Sequence, residues 1–251
     1  MDSFRKFKLM DERDWRMSNG FSPRVEILPP PQIALWPELR QVPAHFALYG
    51  GTALALHLGH RRSVDFDFFS IKELDPDDLL NSIPFLRGAQ VLQKAANTLD
   101  VGVDRGGAIK VSFFGLPNLK RILRPLVCPG NQLQVASLLD LAGTKVSVVQ
   151  KRSELKDYLD VAAILADGRI TLPMALSAGK AIYGSQFNPL ISLKALSYFD
   201  DGNLHDLPAQ SRALIEDAVR RVDLQRLPSI LPASRPSRPA GIGCNTGAMG
   251  I

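Results

Sequence analysis

Apolar positions follow two regimes along the chain. Between residues 46 and 114 they come in short runs or alternate with polar ones; beyond residue 134 they recur every three or four positions. The first pattern predicts strands and the second helices. Phe46–Tyr49 is an apolar run stopped by Gly50 and Gly51, as in a buried strand. Residues 52–58 read as a short helix that Gly59 ends. Residues 64–69 alternate, with Val64, Phe66 and Phe68 on the buried face and Asp65 and Asp67 opposite. Asp75 is placed to cap a helix over 75–81, with Pro76 at its first position. Residues 99–103 and 108–114 pair as strands around the turn at 104–107. Helices are predicted over 134–151, 153–166, 172–183, 190–199 and 211–222. Strands first and helices after imply an α+β protein.

The ends read differently. Residues 1–31 are a polar leader closing on Pro29, Pro30 and Pro31, which favour an extended segment. From residue 227 the chain is rich in Pro, Ser, Arg and Gly and reads as a disordered tail, 227–251. Between them lie a sheet-forming core, 32–128, and a helical domain, 129–226, divided at the turn Cys128, Pro129 and Gly130. There is no internal repeat, and oligomeric state is open, with a monomer the simplest expectation.

Composition narrows the class of protein. With 45% hydrophobic and 22% charged residues, the chain can bury a core. It has no apolar run long enough to span a membrane and no signal-peptide core at its start, so a cytoplasmic protein with no membrane partner is expected. Two distant cysteines, Cys128 and Cys244, argue against a disulfide framework. The net charge of +5 is unevenly placed. Residues 120–180 carry nine Lys and Arg against five Asp and Glu, whereas residues 35–119 carry eight against nine. That excess suits a polyanionic substrate as well as a solvated helix face.

The chemistry concentrates between Gly50 and Asp67. Asp65 and Asp67 are two apart on a strand and project together. Adjacent carboxylates repel, and a divalent cation relieves that repulsion; Mg²⁺ is commonly held by one or two carboxylates plus substrate phosphates. Gly50 and Gly51, after a strand and before a helix, let a phosphate approach the free N–H groups of the helix N-terminus. The Thr52 hydroxyl stands ready to add a hydrogen bond there. A pair of acids or a pair of glycines alone also occurs on ordinary surface strands and turns; the combination carries the signal.

The stretch from Tyr49 to Phe69 resembles the AbiEii/AbiGii toxin family, minimal nucleotidyltransferases with a DNA-polymerase-beta-like core. The family's pattern is met at Gly50, Gly51, Thr52, His60, Arg61, Ser63, Asp65, Asp67 and Phe68, and the resemblance covers most of residues 45–200. It implies a mixed sheet flanked by helices and followed by a helical domain. It implies transfer of a nucleoside monophosphate from an NTP, with Mg²⁺ as cofactor and release of pyrophosphate. Some relatives are toxins of toxin–antitoxin pairs that act on tRNA 3′ ends, so an RNA acceptor and a cognate antitoxin are implied partners.

A second stretch resembles the family's Lys…Arg…Lys-Asp-x-x-Asp motif at Lys145, Arg152, Lys156, Asp157 and Asp160. On one continuous helix, Lys145, Arg152 and Lys156 share a narrow stripe facing a triphosphate; a break near Ser153 would separate them. Asp160, or Asp157, would orient a cation or serve in catalysis. The implied site is then Asp65, Asp67, Lys145 and Asp160 as catalytic residues, with Asp65 and Asp67 on the metal. Gly50, Gly51, Thr52, Arg61, Ser63, Arg152 and Lys156 would hold the nucleotide. The competing reading is an exposed helix laced by ion pairs. His57 reads as a packing residue; Lys120, Arg121 and Arg124 read as solubilising charges or guides for RNA phosphates.

One feature departs from the family. Many polymerase-beta-like enzymes carry a third carboxylate on the neighbouring strand, which here falls near Ser112, and no acid occupies that place. This leaves the base for the acceptor hydroxyl open between Asp67 and Asp160. It also keeps two alternatives in view: a non-catalytic module that binds nucleotide, RNA or an antitoxin, and an enzyme that modifies a protein.

Overall fold

The computed structural model describes residues 21–233. Most of the leader (residues 1–20) and of the tail (residues 234–251, with Cys244) lies outside the described residues. One seven-stranded sheet organises the fold: β1 (Phe46–Tyr49), β2 (Asp65–Ser70), β3 (Gln90–Ala95), β4 (Thr98–Asp104), β5 (Ala108–Gly115), β6 (Leu126–Val127) and β7 (Gln134–Val135). Their spatial order is β3-β4-β5-β2-β1-β7-β6. The sheet is mixed: β2 runs parallel to β5 and antiparallel to β1, and β1 runs parallel to β7.

Eight α-helices accompany the sheet among the described residues: α1 (Pro30–Leu35), α2 (Gly50–Leu58), α3 (Pro76–Ser82), α4 (Leu138–Val148), α5 (Leu155–Asp167), α6 (Leu172–Tyr183), α7 (Pro189–Ala195) and α8 (Ala209–Arg220). Five of these follow the sheet, the α+β order that the apolar periodicity predicts.

Each strand face has its own job. Phe46, Leu48, Phe66, Phe68, Val111 and Phe113 are all buried on one side, where the Phe68 and Phe113 rings stack 5.1 Å apart and Phe46 meets Phe113 edge-on at 5.3 Å. Burying these large rings drives the sheet together. On the other side, Asp65, Asp67 and Phe69 alternate with them as half-buried positions. Val64 is not part of this alternation; it precedes β2 and is 60% exposed.

Several boundaries differ from the sequence expectation. The prolines do not hold an extended leader: Pro30 and Pro31 form the first turn of α1. A proline lacks only an N–H that the first turn leaves free, and its φ is already helical. Ahead of it Leu28 is buried, and Arg24 donates its N–H to the Leu56 carbonyl, so the packed unit includes residues 24–31. The turn at 128–130 closes the hairpin of β6 and β7 rather than ending the sheet. Gln134 is therefore in a strand, and the next helix waits for Ser137, whose hydroxyl caps α4 by accepting from the Asp140 N–H. At the far end Ile230 is buried, and Ala233 donates to the Arg121 carbonyl at 2.8 Å, so residues 227–233 pack against the body. Strand β3 escapes the apolar pattern because all six of its residues are exposed on the sheet edge.

The helical half packs closely on the sheet half. A Cβ on Gly143 would lie 2.9 Å from Ala178, so α4 and α6 approach backbone to backbone. Buried apolar residues form one continuous core from Leu28 to Ile230.

Candidate active site

Three elements meet where β1 ends and β2 begins. Strand β1 passes directly into α2 through Gly50, whose φ of +71° is a conformation that favours glycine. Tyr49 pairs with Asp67 in the antiparallel register, so this turn lies beside the second acid. A Cβ on Gly50 would collide with Asp67 Oδ2, and one on Gly51 would lie 2.7 Å from Arg61 Nη2 and 2.8 Å from Ser63 Oγ. Gly50, Gly51, Arg61, Ser63 and Asp67 are thus brought together by backbone proximity. Thr52 is completely buried, and its hydroxyl donates to the Asp65 carbonyl oxygen. That bond fastens the start of α2 to the start of β2 and turns the hydroxyl proton inward.

Asp65 and Asp67 face the same side of β2. Burial pushes the Asp67 carboxyl above its ordinary range, and the negative charge of Asp65 adds to the rise; Lys110 and Lys145 pull the other way. Protonation or a cation relieves that strain. Among the described residues no group of three or more His, Cys, Asp or Glu is gathered to hold a metal.

The second motif takes a different shape from a single stripe. Helix α4 ends at Val148 and α5 begins at Leu155, with a turn between them. Lys156 therefore points to solvent, 51% exposed, and pairs with Glu154 at 2.9 Å. Arg152 lies on the turn and donates to Asp157 Oδ2 at 2.7 Å. Lys145 is buried, with its ammonium 2.9 Å from Asp157 Oδ1 and 2.6 Å from Asp160 Oδ2.

Asp160 is the hub of this charge cluster. It is fully buried and accepts two hydrogen bonds from Arg61, at 2.7 and 2.9 Å, besides the Lys145 contact. His60 Nε2 lies 2.7 Å from Oδ1, and since an ionised carboxylate only accepts, that nitrogen carries the proton. Burial alone would push the Asp160 carboxyl up. The hydrogen bonds from His60 and Arg61, with the charges of Lys145 and Arg61, outweigh it and hold the group well below the usual carboxylate range. Both oxygens are thus occupied, which suits a positioning role better than proton acceptance. Arg61 also lines a cleft of about 200 Å³ between α5 and α8.

Two of the remaining candidates, His57 and Arg121, make structural contacts in this fold. His57 donates to the Ala136 carbonyl at 2.9 Å and packs on the Phe21 ring, and burial pushes its imidazole down to about 4. Arg121 donates to the Phe69 carbonyl. The sequence pattern does not single out Lys110. Strand β5 does place Ser112 opposite Asp67, and β4 then places Asp100 opposite Ser112. An acid therefore stands in the same cross-strand row as Asp67, one strand further out. Its Oδ2 pairs with Lys110, which itself lies opposite Asp65. The turn at 104–107 sets the β4–β5 register, and the adjacency of β5 and β2 is the one that the family resemblance implies.

Among the described residues no helix is long and apolar enough to cross a membrane. The architecture has a counterpart among solved structures. A candidate nucleotidyltransferase from H. pylori superposes with a TM-score of 0.50 at 14% identity, covering 76% of this chain and 93% of that one. The nucleotidyltransferase toxin MenT4 from Mycobacterium tuberculosis gives a TM-score of 0.49 at 13% identity, covering 76% and 83%. An uncharacterised protein of Aquifex aeolicus is 30% identical over 158 residues, which span 62% of this chain and 74% of the relative. The family model for the AbiEii nucleotidyl transferase toxin of type IV toxin–antitoxin systems matches residues 38–231, which take in the glycine turn, the acid pair and the buried charge cluster. On that match the chain belongs to the AbiEii nucleotidyltransferase toxin family.

Proposed function

We propose that this chain transfers a nucleoside monophosphate from an NTP to an RNA hydroxyl, the 3′ end of a tRNA being the acceptor that the family resemblance implies. The observation that carries this reading is the contact between the Gly50 turn and the Asp67 carboxylate. A phosphate seated on the free N–H groups at the start of α2 would lie against the acid pair, so one nucleotide reaches both.

Asp65 and Asp67 fit a hard dication. They are oxygen donors on one face, mutually repelling, and beside them the buried Ser112 hydroxyl has no hydrogen-bond partner among the described residues. Asp65 and Asp67 would hold Mg²⁺, and the ion would supply positive charge to offset that of the substrate phosphates. The chain's own groups do the rest. The Gly50 and Gly51 backbone orients the phosphates, and the fixed cations Arg61 and Lys145 supply a preorganised positive field for the departing pyrophosphate. In the transfer, the acceptor oxygen bonds to the α-phosphorus as the bond to the bridging oxygen breaks. Asp67 is the better acceptor of the hydroxyl proton, because both Asp160 oxygens are engaged.

As a toxin of this family, the chain is expected to be restrained by an antitoxin protein in the cytoplasm. The test is incubation with each labelled NTP, Mg²⁺ and total tRNA. Labelled RNA is expected, and none with Asp67→Asn. Label appearing only on protein in a lysate would replace the RNA acceptor with a protein one. Full activity in Asp67→Asn would sink the mechanism.

A further inference from the structure

Lys110 has no assigned role in the site described so far. It lies on β5 directly opposite Asp65, and its ammonium reaches across to β4, where Asp100 Oδ2 is 2.9 Å away. Ser112 separates Asp100 from Asp67 in the next row. Neighbouring strands are about 4.8 Å apart, so the Lys110 stem runs beside the acid pair. The Lys110 side chain is 46% exposed and that of Asp100 is 8% exposed.

This pair differs from the Asp160 cluster. Asp100 Oδ1 and Ser112 Oγ are both buried without a hydrogen-bond partner among the described residues. The row beneath Lys110 therefore has spare bonding capacity, and the Lys110 end of the pair is half-exposed. Such an ammonium can exchange one anionic partner for another. The anions next to it are Asp65, Asp67 and, on the reading above, the phosphates of a nucleotide.

We infer that Lys110 is the built-in counter-ion of the Asp65–Asp67 pair and a contact for the nucleotide's phosphates, with Asp100 as its positioning residue. The inference rests on the metal and nucleotide reading of the site and makes a prediction that reading does not. Removing the Lys110 charge has opposite effects on two ligands. A divalent cation binds better, because a like charge beside the acids is gone; a triphosphate binds worse, because an attractive charge is gone.

The experiment uses the full chain and two probes: Mn²⁺ alone, followed by its paramagnetic resonance signal, and a non-hydrolysable α,β-methylene NTP of each base, followed by calorimetry with Mg²⁺ present. Lys110→Gln is expected to tighten Mn²⁺ about 3- to 10-fold and to weaken the nucleotide by a similar factor, as for one unit charge near a surface. Asp100→Asn should weaken the nucleotide, and adding Lys110→Gln to it should cost little more, since the two act as one unit. Wild-type affinity for both probes in a folded Lys110→Gln would overturn the inference alone, as would affinities that fall together. A folded wild-type chain that binds neither probe would overturn the metal and nucleotide reading itself.

Discussion

The backbone of Gly50 lies against the carboxylate of Asp67 so closely that a methyl group on Gly50 would overlap Oδ2. The glycine is there for two reasons at once: its left-handed φ and the acid beside it. Gly50→Ala is expected to lose about 1–2 kcal/mol of stability from the backbone conformation. By displacing Asp67 it should also cut nucleotide transfer about 100-fold, the usual penalty for a misplacement near 1 Å. Thermal unfolding and a labelled-NTP assay on one preparation check both effects.

Asp67→Asn separates activity from folding. Burial and the charge of Asp65 hold the native carboxyl above its ordinary value, so a neutral amide of the same shape relieves a burden on the fold. The melting temperature should stay level or rise while transfer drops by at least about 100-fold. A large fall in melting temperature would show that the carboxylate is a structural partner instead.

The same raised carboxyl sets a pH dependence. The folded chain keeps a proton on Asp67 at pH values where the unfolded chain, titrating near 3.8, has lost it. Its contribution to stability is therefore full below that value and is lost as pH rises through the folded one. Cation binding needs the ionised form, so Mn²⁺ affinity should decline as pH falls, with the decline starting above 3.8. Titrations between about pH 4 and 7 would show this, and Asp67→Asn should abolish the dependence together with most of the binding.

Asp160→Asn attacks the buried cluster. It leaves Arg61, His60 and Lys145 with donors facing a neutral amide, and breaking a buried pair typically costs about 3–5 kcal/mol. For a chain of this size that is roughly 6–20 °C in melting temperature. Because the native carboxyl is held below the usual range, its stabilisation is present above the unfolded value and lost as pH falls through the folded one. Asp160→Asn should accordingly unfold in acid with a shallower pH dependence than the native chain.

Lys145 and Lys156 should part company. Lys156 is exposed and pairs with exposed Glu154, so Lys156→Ala should change stability by no more than about 0.5 kcal/mol and transfer by about twofold or less. Lys145→Met would leave Asp157 and Asp160 short of a buried cation and cost several kcal/mol, on the order of 3–5. Equal effects at the two positions would contradict the geometry.

These contrasts show what the amino-acid pattern made legible. The strand at 46–49, the helix at 172–183 and the capped turn at Asp75 follow from local rules, and the structure has them within a residue. The shared face of Asp65 and Asp67 follows from the period of a strand alone. What periodicity cannot carry is long-range pairing. Spacings of seven and four put Lys145, Arg152 and Lys156 on one stripe only if the helix continues, and no glycine or proline marks the turn at 149–154. Asp160 reads as an exposed helical acid until Arg61, 99 positions earlier, closes on it. Asp100 belongs to the strand before the one that carries Ser112, and only the pairing of β4 with β5 puts it in the row of Asp67.

The union of Asp160 with His60 and Arg61 also orders events in time. During synthesis the glycine turn and the acid pair leave the ribosome roughly a hundred residues before the carboxylate that anchors Arg61. A nascent chain therefore displays its glycine turn long before that turn is braced. Whatever depends on the braced turn therefore waits until the helical half has docked.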